Sequence, residues 1–148
     1  MFSLVTEGNL EAAARVHAES WRESHRGFCT AGFVAAHTTA RQMEYIRKEM
    51  AQGRCFYLLI LDGPKGIVSV WRDLIENLYI LPGEQRRGYG TKLLHFAEGL
   101  CTGIPRLWVL SNNIAAQAFY LRCGYVFTGG EKQLSGNLAE LEMARAAS

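Results

Sequence analysis

The sequence predicts an α/β domain with a mixed sheet, and three observations carry that expectation. Apolar runs of strand length, rich in β-branched and aromatic residues, recur at 55–61, 67–71, 74–81 and 106–110. Stretches with apolar residues at helical spacing lie at 10–20, 39–50, 91–101 and 113–123. The run of strand 74–81, helix 91–101 and strand 106–110 then requires a right-handed parallel crossover.

In chain order, Phe2 to Val5 is a short strand. Asn9 caps a helix from Leu10 to about Ser20, with Leu10, Ala13, Ala14 and His17 on one face. Trp21 to His37 is read as irregular, and Thr39 to about Met50 as a second helix. Cys55 to Leu61 and Ile67 to Trp71 form a hairpin around Asp62-Gly63-Pro64-Lys65-Gly66. Arg72-Asp73 reverses the chain into Leu74 to Leu81. The helix that follows ends at Gly103 and Pro105, and Asn113 to Gly124 holds the last helix. Two strands close the chain, at about Tyr125 to Gln133 and Leu138 to Ala144. With 148 residues and no linker or repeat, one domain spanning 1–148 is expected, large enough for a real core.

Composition narrows the function classes. Apolar residues make up 49% and charged residues 20%, the balance of a soluble globular protein. A net charge of +2, with no basic run, gives no reason to expect nucleic acid as a partner. Glu7, Glu11 and Arg15 interrupt any leader-like start, and no segment reaches membrane-spanning length, so no membrane partner is expected. Cys29, Cys55, Cys101 and Cys123 have no C-x-x-C pairing, and the histidines have no ligand spacing. A reduced cytoplasmic protein without a metal is the expectation.

The sharpest local signal is Gln85-Arg86-Arg87-Gly88-Tyr89-Gly90, between an apolar strand and a helix. Closely spaced glycines let the backbone approach an anion, and the first helical N–H groups lack intrahelical acceptors. Those groups and the helix dipole favour a pyrophosphate. A Rossmann turn would need glycine at 93, where Leu93 stands. A Walker A loop would need lysine after Gly88, where Tyr89 stands.

The hexapeptide resembles the Q/R-x-x-G-x-G/A signature of the GNAT superfamily of N-acetyltransferases. The resemblance continues at Pro82 and at Asn113-Ile114-Ala115-Ala116-Gln117-Ala118-Phe119-Tyr120, which is similar to N-x-x-A-x-x-F/L-Y. Leu121-Arg122-Cys123-Gly124-Tyr125 resembles the segment that follows it. Close similarity covers about residues 74 to 127. It implies the order β-α-α-β-β-β-α-β-α-β-β, with the parallel strands 74–81 and 106–110 splayed apart.

It also implies acetyl-CoA as acyl donor and an amine as acceptor. The coenzyme would meet Leu78, Ile80, Gln85, Arg86, Arg87, Gly88, Tyr89, Gly90, Thr91, Asn113, Ala116 and Tyr120. Acyl transfer to an amine needs a proton acceptor, oxyanion stabilisation and a donor for the leaving thiolate. Glu76, a carboxylate in an apolar run, is the candidate base; strand alternation places it with Leu78 and Ile80, opposite Ile75, Asn77 and Tyr79. The alternative is a carboxylate paired with an arginine on a partly solvated face. By resemblance the oxyanion donor is the Ile80 N–H, and Tyr120 is the general acid, with a core aromatic as its alternative.

The acceptor side is less defined. Trp21, His25 and Phe28 are candidates for an apolar acceptor cleft, with ordinary packing as their alternative. A small primary amine is the expected acceptor. Peptide or protein acetylation and a non-catalytic acyl-CoA sensor are the other readings, and a homodimer through a sheet edge is compatible with the sequence.

Overall fold

The computed structural model describes residues 1–27 and 29–147. Its elements are β1 (Phe2–Leu4), α1 (Leu10–His25), α2 (Ala31–Ala35), α3 (Thr39–Ala51), β2 (Cys55–Ile60), β3 (Pro64–Trp71), β4 (Leu74–Ile80), α4 (Tyr89–Glu98), β5 (Arg106–Leu110), α5 (Ile114–Arg122), β6 (Tyr125–Ser135) and β7 (Leu138–Arg145). A seven-stranded sheet runs β1-β2-β3-β4-β5-β7-β6. All pairings are antiparallel except β4 with β5. This is the mixed α/β architecture expected, in the expected order of strands.

Three local readings change. Helix α1 continues to His25, five residues past Ser20, because Trp21, Ser24 and His25 extend its inward stripe. The short helix α2, capped by the Thr30 hydroxyl accepting from the Phe33 N–H at 3.3 Å, occupies part of the stretch read as irregular. Asn9 occupies the cap position of α1 without capping it. Its side chain instead accepts from the Thr6 N–H at 2.7 Å and donates to the Leu4 carbonyl at 3.1 Å, tying β1 to α1.

Two apolar layers flank the sheet. Leu93, Leu94 and Ala97 of α4 pack with Val68, Val70, Ile75, Leu107, Val109 and Met143, joined by Phe119 and Tyr120 of α5. On the opposite face, Leu10, Ala13, Ala14 and Val16 of α1 and Ile46 of α3 pack on Phe56, Leu58 and Ile67. Full burial of each such side chain contributes about 1.5–3 kcal/mol. Among the described residues, no helix is long and apolar enough to cross a membrane.

A bulge in β4 overturns the alternation expected for it. Ser69 pairs with Glu76 and Ile67 with Tyr79, so Asn77 and Leu78 together face Val68, and Asn77 takes φ +55°. The extra residue shifts the side-chain parity. Leu78 and Ile80 join Ile75 against the α4 layer, whereas Tyr79 packs on the α1 side. Glu76 stands on that α1 side too, opposite Leu78 and Ile80 rather than with them, where Arg54 meets it.

Candidate functional site

Strands β4 and β5 pair only at Leu74 and Arg106 and then diverge. The gap becomes a cleft of about 1290 Å³ through the sheet, with one mouth beside α4 and α5 and the other beside α1. The Leu81 N–H donates to the Lys65 carbonyl at 2.9 Å, toward β3. Peptide groups alternate in direction along a strand, so the Ile80 N–H turns the other way, into the gap.

At the α4 mouth the chain offers backbone donors. Gly88, at φ +80°, precedes Tyr89, and no side chain among the described residues caps α4, which starts two residues earlier than its apolar spacing suggests. Arg86 also has positive φ, +66°. The first intrahelical bond runs from the Lys92 N–H to the Gly88 carbonyl at 3.1 Å, leaving the N–H groups of Tyr89, Gly90 and Thr91 directed outward. Gly90 lies against α5: a Cβ there would stand 3.3 Å from the Phe119 ring. Asn113 caps α5 by accepting from the Ala116 N–H at 3.1 Å.

Most of the residues expected around the coenzyme converge here. Leu78, Ile80, Gln85, Arg86, Gly88, Tyr89, Gly90, Thr91, Asn113, Ala116 and Tyr120 all line the cleft. Arg87 does not; it turns to Glu84 at 3.9 Å, and Glu84 also accepts from Lys65 at 3.3 Å. Tyr120 stands beside Tyr125, with ring centroids 5.9 Å apart, and burial pushes its phenol up to about 12, with a smaller contribution from Cys123. Its phenol makes no hydrogen bond among the described residues. It is therefore held protonated and available to donate. Cys123 reaches the same end of the cleft, where burial raises its thiol above the ordinary range.

At the α1 mouth, side chains from distant segments meet. Trp21 stacks on His25 at 3.9 Å and on His37 at 3.5 Å, and Phe33 meets it edge-on at 5.8 Å. Trp21 and His25 line the cleft as expected; Phe28, expected with them, lies outside the described residues. Burial lowers His25, which favours its neutral form at this mouth.

A directed hydrogen-bond chain fixes the bulge beneath. Gln42 donates to His17 Nδ1 at 2.8 Å, and His17 Nε2–H donates to Asn77 Oδ1 at 2.9 Å. Asn77 Nδ2–H then donates to Ser69 Oγ at 3.0 Å, and Ser69 donates to the Glu76 carbonyl at 3.2 Å. Gln42 can only donate through Nε2, which assigns the His17 tautomer. Burial lowers the His17 imidazole to about 4, so the chain carries no charge. Glu76 lines the cleft, but Arg54 donates to its Oε1 at 2.9 Å while also pairing with Glu49.

Sequence reasoning missed Asn77, Tyr79, Trp108 and Glu140, which also line the cleft. The polar Asn77 within the apolar β4 run was the available signal. Glu140 alternates with Ala139 and Leu141 on an ordinary strand and carried none.

The comparisons agree with this geometry. A family model described as an acetyltransferase (GNAT) domain matches residues 29–127. The PaiA N-acetyltransferase of Thermoplasma acidophilum, solved with coenzyme A, is 18% identical with a TM-score of 0.73, covering 96% of this chain and 98% of that one. A GCN5-related N-acetyltransferase from Rhodopseudomonas palustris is 21% identical with a TM-score of 0.76, covering 99% of this chain and 95% of that one. A ribosomal-protein-alanine N-acetyltransferase from Brucella melitensis is 12% identical with a TM-score of 0.69, covering 99% of both chains. No curated protein matches.

Proposed function

The chain belongs to the GNAT acetyltransferase family, and we propose that it moves the acetyl group of acetyl-CoA directly to a small primary amine. The observation that carries this reading is the cleft between β4 and β5. It joins a mouth of outward backbone N–H groups to a mouth of aromatic and acidic side chains. The pyrophosphate lies at the N-terminus of α4, and Leu78, Ile80, Asn113 and Ala116 line the pantetheine path.

Chemistry follows from the order of groups along the cleft. The Ile80 N–H stabilises the oxyanion as the amine attacks the thioester carbon. A donor of this kind contributes about 3–4 kcal/mol. Collapse breaks the C–S bond, and the Tyr120 phenol donates its proton to the departing thiolate. Glu76, steadied by Arg54, accepts the amine's proton through water. The raised Cys123 thiol is a poor nucleophile, which favours direct transfer over an acetyl-cysteine intermediate. The stacked Trp21–His25 pair walls the acceptor mouth, which suits a compact amine better than an extended peptide. Its four free cysteines fit a reducing cytoplasm.

The test is thiol release from acetyl-CoA across a panel of free amines, amino acids and N-terminal peptides. Release that depends on free amines is expected, with no acetyl group retained on the protein by intact mass. Greater activity on peptides would reassign the acceptor. Coenzyme binding without release would identify an acyl-CoA sensor.

A further inference from the structure

The carboxylates lining the cleft are not equivalent. Glu76 is held by Arg54, and Glu84, at the α4 mouth, by Lys65 and Arg87. Glu140 also lines the cleft, half-buried on β7, and its carboxylate makes neither an ion pair nor a hydrogen bond among the described residues. Leu141 and Met143 pack into the α4–α5 layer, so Glu140 points to the α1 side. The cation that faces it in register, Lys132 of β6, lies instead over the Trp108 ring at 4.1 Å. The cleft's arginines, Arg86 and Arg122, belong to α4 and α5 and their approach. A half-buried carboxylate that faces a cleft without an internal partner marks a place for an external cation.

A second unfilled group lies on the same side. The Ser20 hydroxyl of α1 is buried, with the residue 2% exposed, and has no hydrogen-bond partner among the described residues, while Ser20 lines the cleft next to Trp21. Buried hydroxyls are ordinarily satisfied, and an orphan costs stability that alanine at this position would not.

Resting on the acetyltransferase reading above, we propose that Glu140 recognises the acceptor's ammonium group and Ser20 supplies a second hydrogen bond to the acceptor. The acceptor is then a monocationic primary amine with an aromatic or apolar body. One unpaired carboxylate matches one positive charge. Tyr79 and the stacked Trp21–His25 pair give the body apolar walls. A polyamine would bring further charges with no second unpaired carboxylate among the described cleft residues to meet them.

The probes are 2-phenylethylamine, its neutral isostere 2-phenylethanol, and spermidine, each titrated calorimetrically into the protein saturated with coenzyme A. The expected order is 2-phenylethylamine tightest, with 2-phenylethanol at least about tenfold weaker. Glu140→Gln should erase that preference, whereas the exposed Glu131→Gln should keep it. In turnover, Glu140→Gln should raise the acceptor KM about tenfold and leave the acetyl-CoA KM unchanged. Ser20→Ala should leave unliganded stability equal or higher while raising the acceptor KM about threefold.

Equal binding of amine and alcohol, or a Glu140→Gln protein that still discriminates, overturns the assignment of Glu140. Tighter binding of spermidine overturns the monocation class. An unaltered acceptor KM in Ser20→Ala removes Ser20. Ammonium-selective binding without turnover would uphold this site and sink the catalytic reading, so the two failures are distinguishable.

Discussion

At the α4 mouth of the cleft, the chain presents its backbone: the amides of Tyr89, Gly90 and Thr91, turned outward by Gly88 at φ +80°. At the α1 mouth it presents side chains drawn from α1, β4, β5 and β7. The first arrangement needs a turn and a helix start, both fixed by a few consecutive residues. The second needs the whole sheet to be assembled before Ser20, Tyr79 and Glu140 line one cleft. Backbone donors can be set by local geometry, whereas the side-chain mouth is written in long-range contacts.

If that division holds, changes at one mouth should leave the other intact. The largest effect is expected where both sides meet, at Tyr120. Tyr120→Phe should lower kcat by about 10²–10⁴-fold with little change in acetyl-CoA KM, as steady-state kinetics would show. An unchanged kcat would return Tyr120 to the core. Gly88→Val forces a β-branched residue into left-handed backbone and turns the donors away. Affinity for acetyl-CoA by calorimetry should fall about 100-fold or more, with an unliganded melting temperature within a few degrees of the parent. Retained affinity would mean that the α4 amides do not hold the coenzyme.

The α1 side should show a pH signature that the α4 side lacks. His17 titrates near 4 when folded and near 6.5 when unfolded, so below pH 6.5 the unfolded chain binds a proton that the native chain refuses. Stability should be complete at neutral pH and fall by about 3 kcal/mol as pH drops from 7 to 4. His17→Gln, less stable at neutral pH, should lose most of that slope in urea unfolding; an identical slope would assign it to other groups. Asn77→Ala strands the His17 and Ser69 partners and strains the bulge, at a cost of about 2–3 kcal/mol. Coenzyme affinity should persist in that variant. The smallest effect separates neighbours: Arg86→Ala should weaken acetyl-CoA binding several-fold at low salt, and Arg87→Ala less than twofold. Equal effects would erase the distinction that Glu84 draws between them.

The strands and both limits of α3 and α5 were legible because periodicity and turn chemistry are local, whereas α4 runs two to three residues earlier than its spacing suggested and α2 went unread. Cys55–Ile60, Arg106–Leu110 and the Gly124 stop fall within a residue or so of their expected positions. The reading of β4 failed at one residue. A bulge inserts no unusual sequence; it arises because Asn77 finds His17 and Ser69 across the fold, and it moves Glu76 to the other face. The extra length of α1 was hidden in the same way, since Trp21 is ordered by stacking on His37.

By itself, then, the sequence determined the mixed α/β class, the order of strands along the chain, and an anion-ready turn at Gly88. Each depends on contacts between residues a few positions apart. The tertiary structure alone decided which face Glu76 takes, that Arg87 turns away while Arg86 lines the cleft, and that Glu140 lines the cleft unpaired among the described residues. Those outcomes depend on which distant side chains consume each charge and hydrogen bond, and only the closed fold settles that competition.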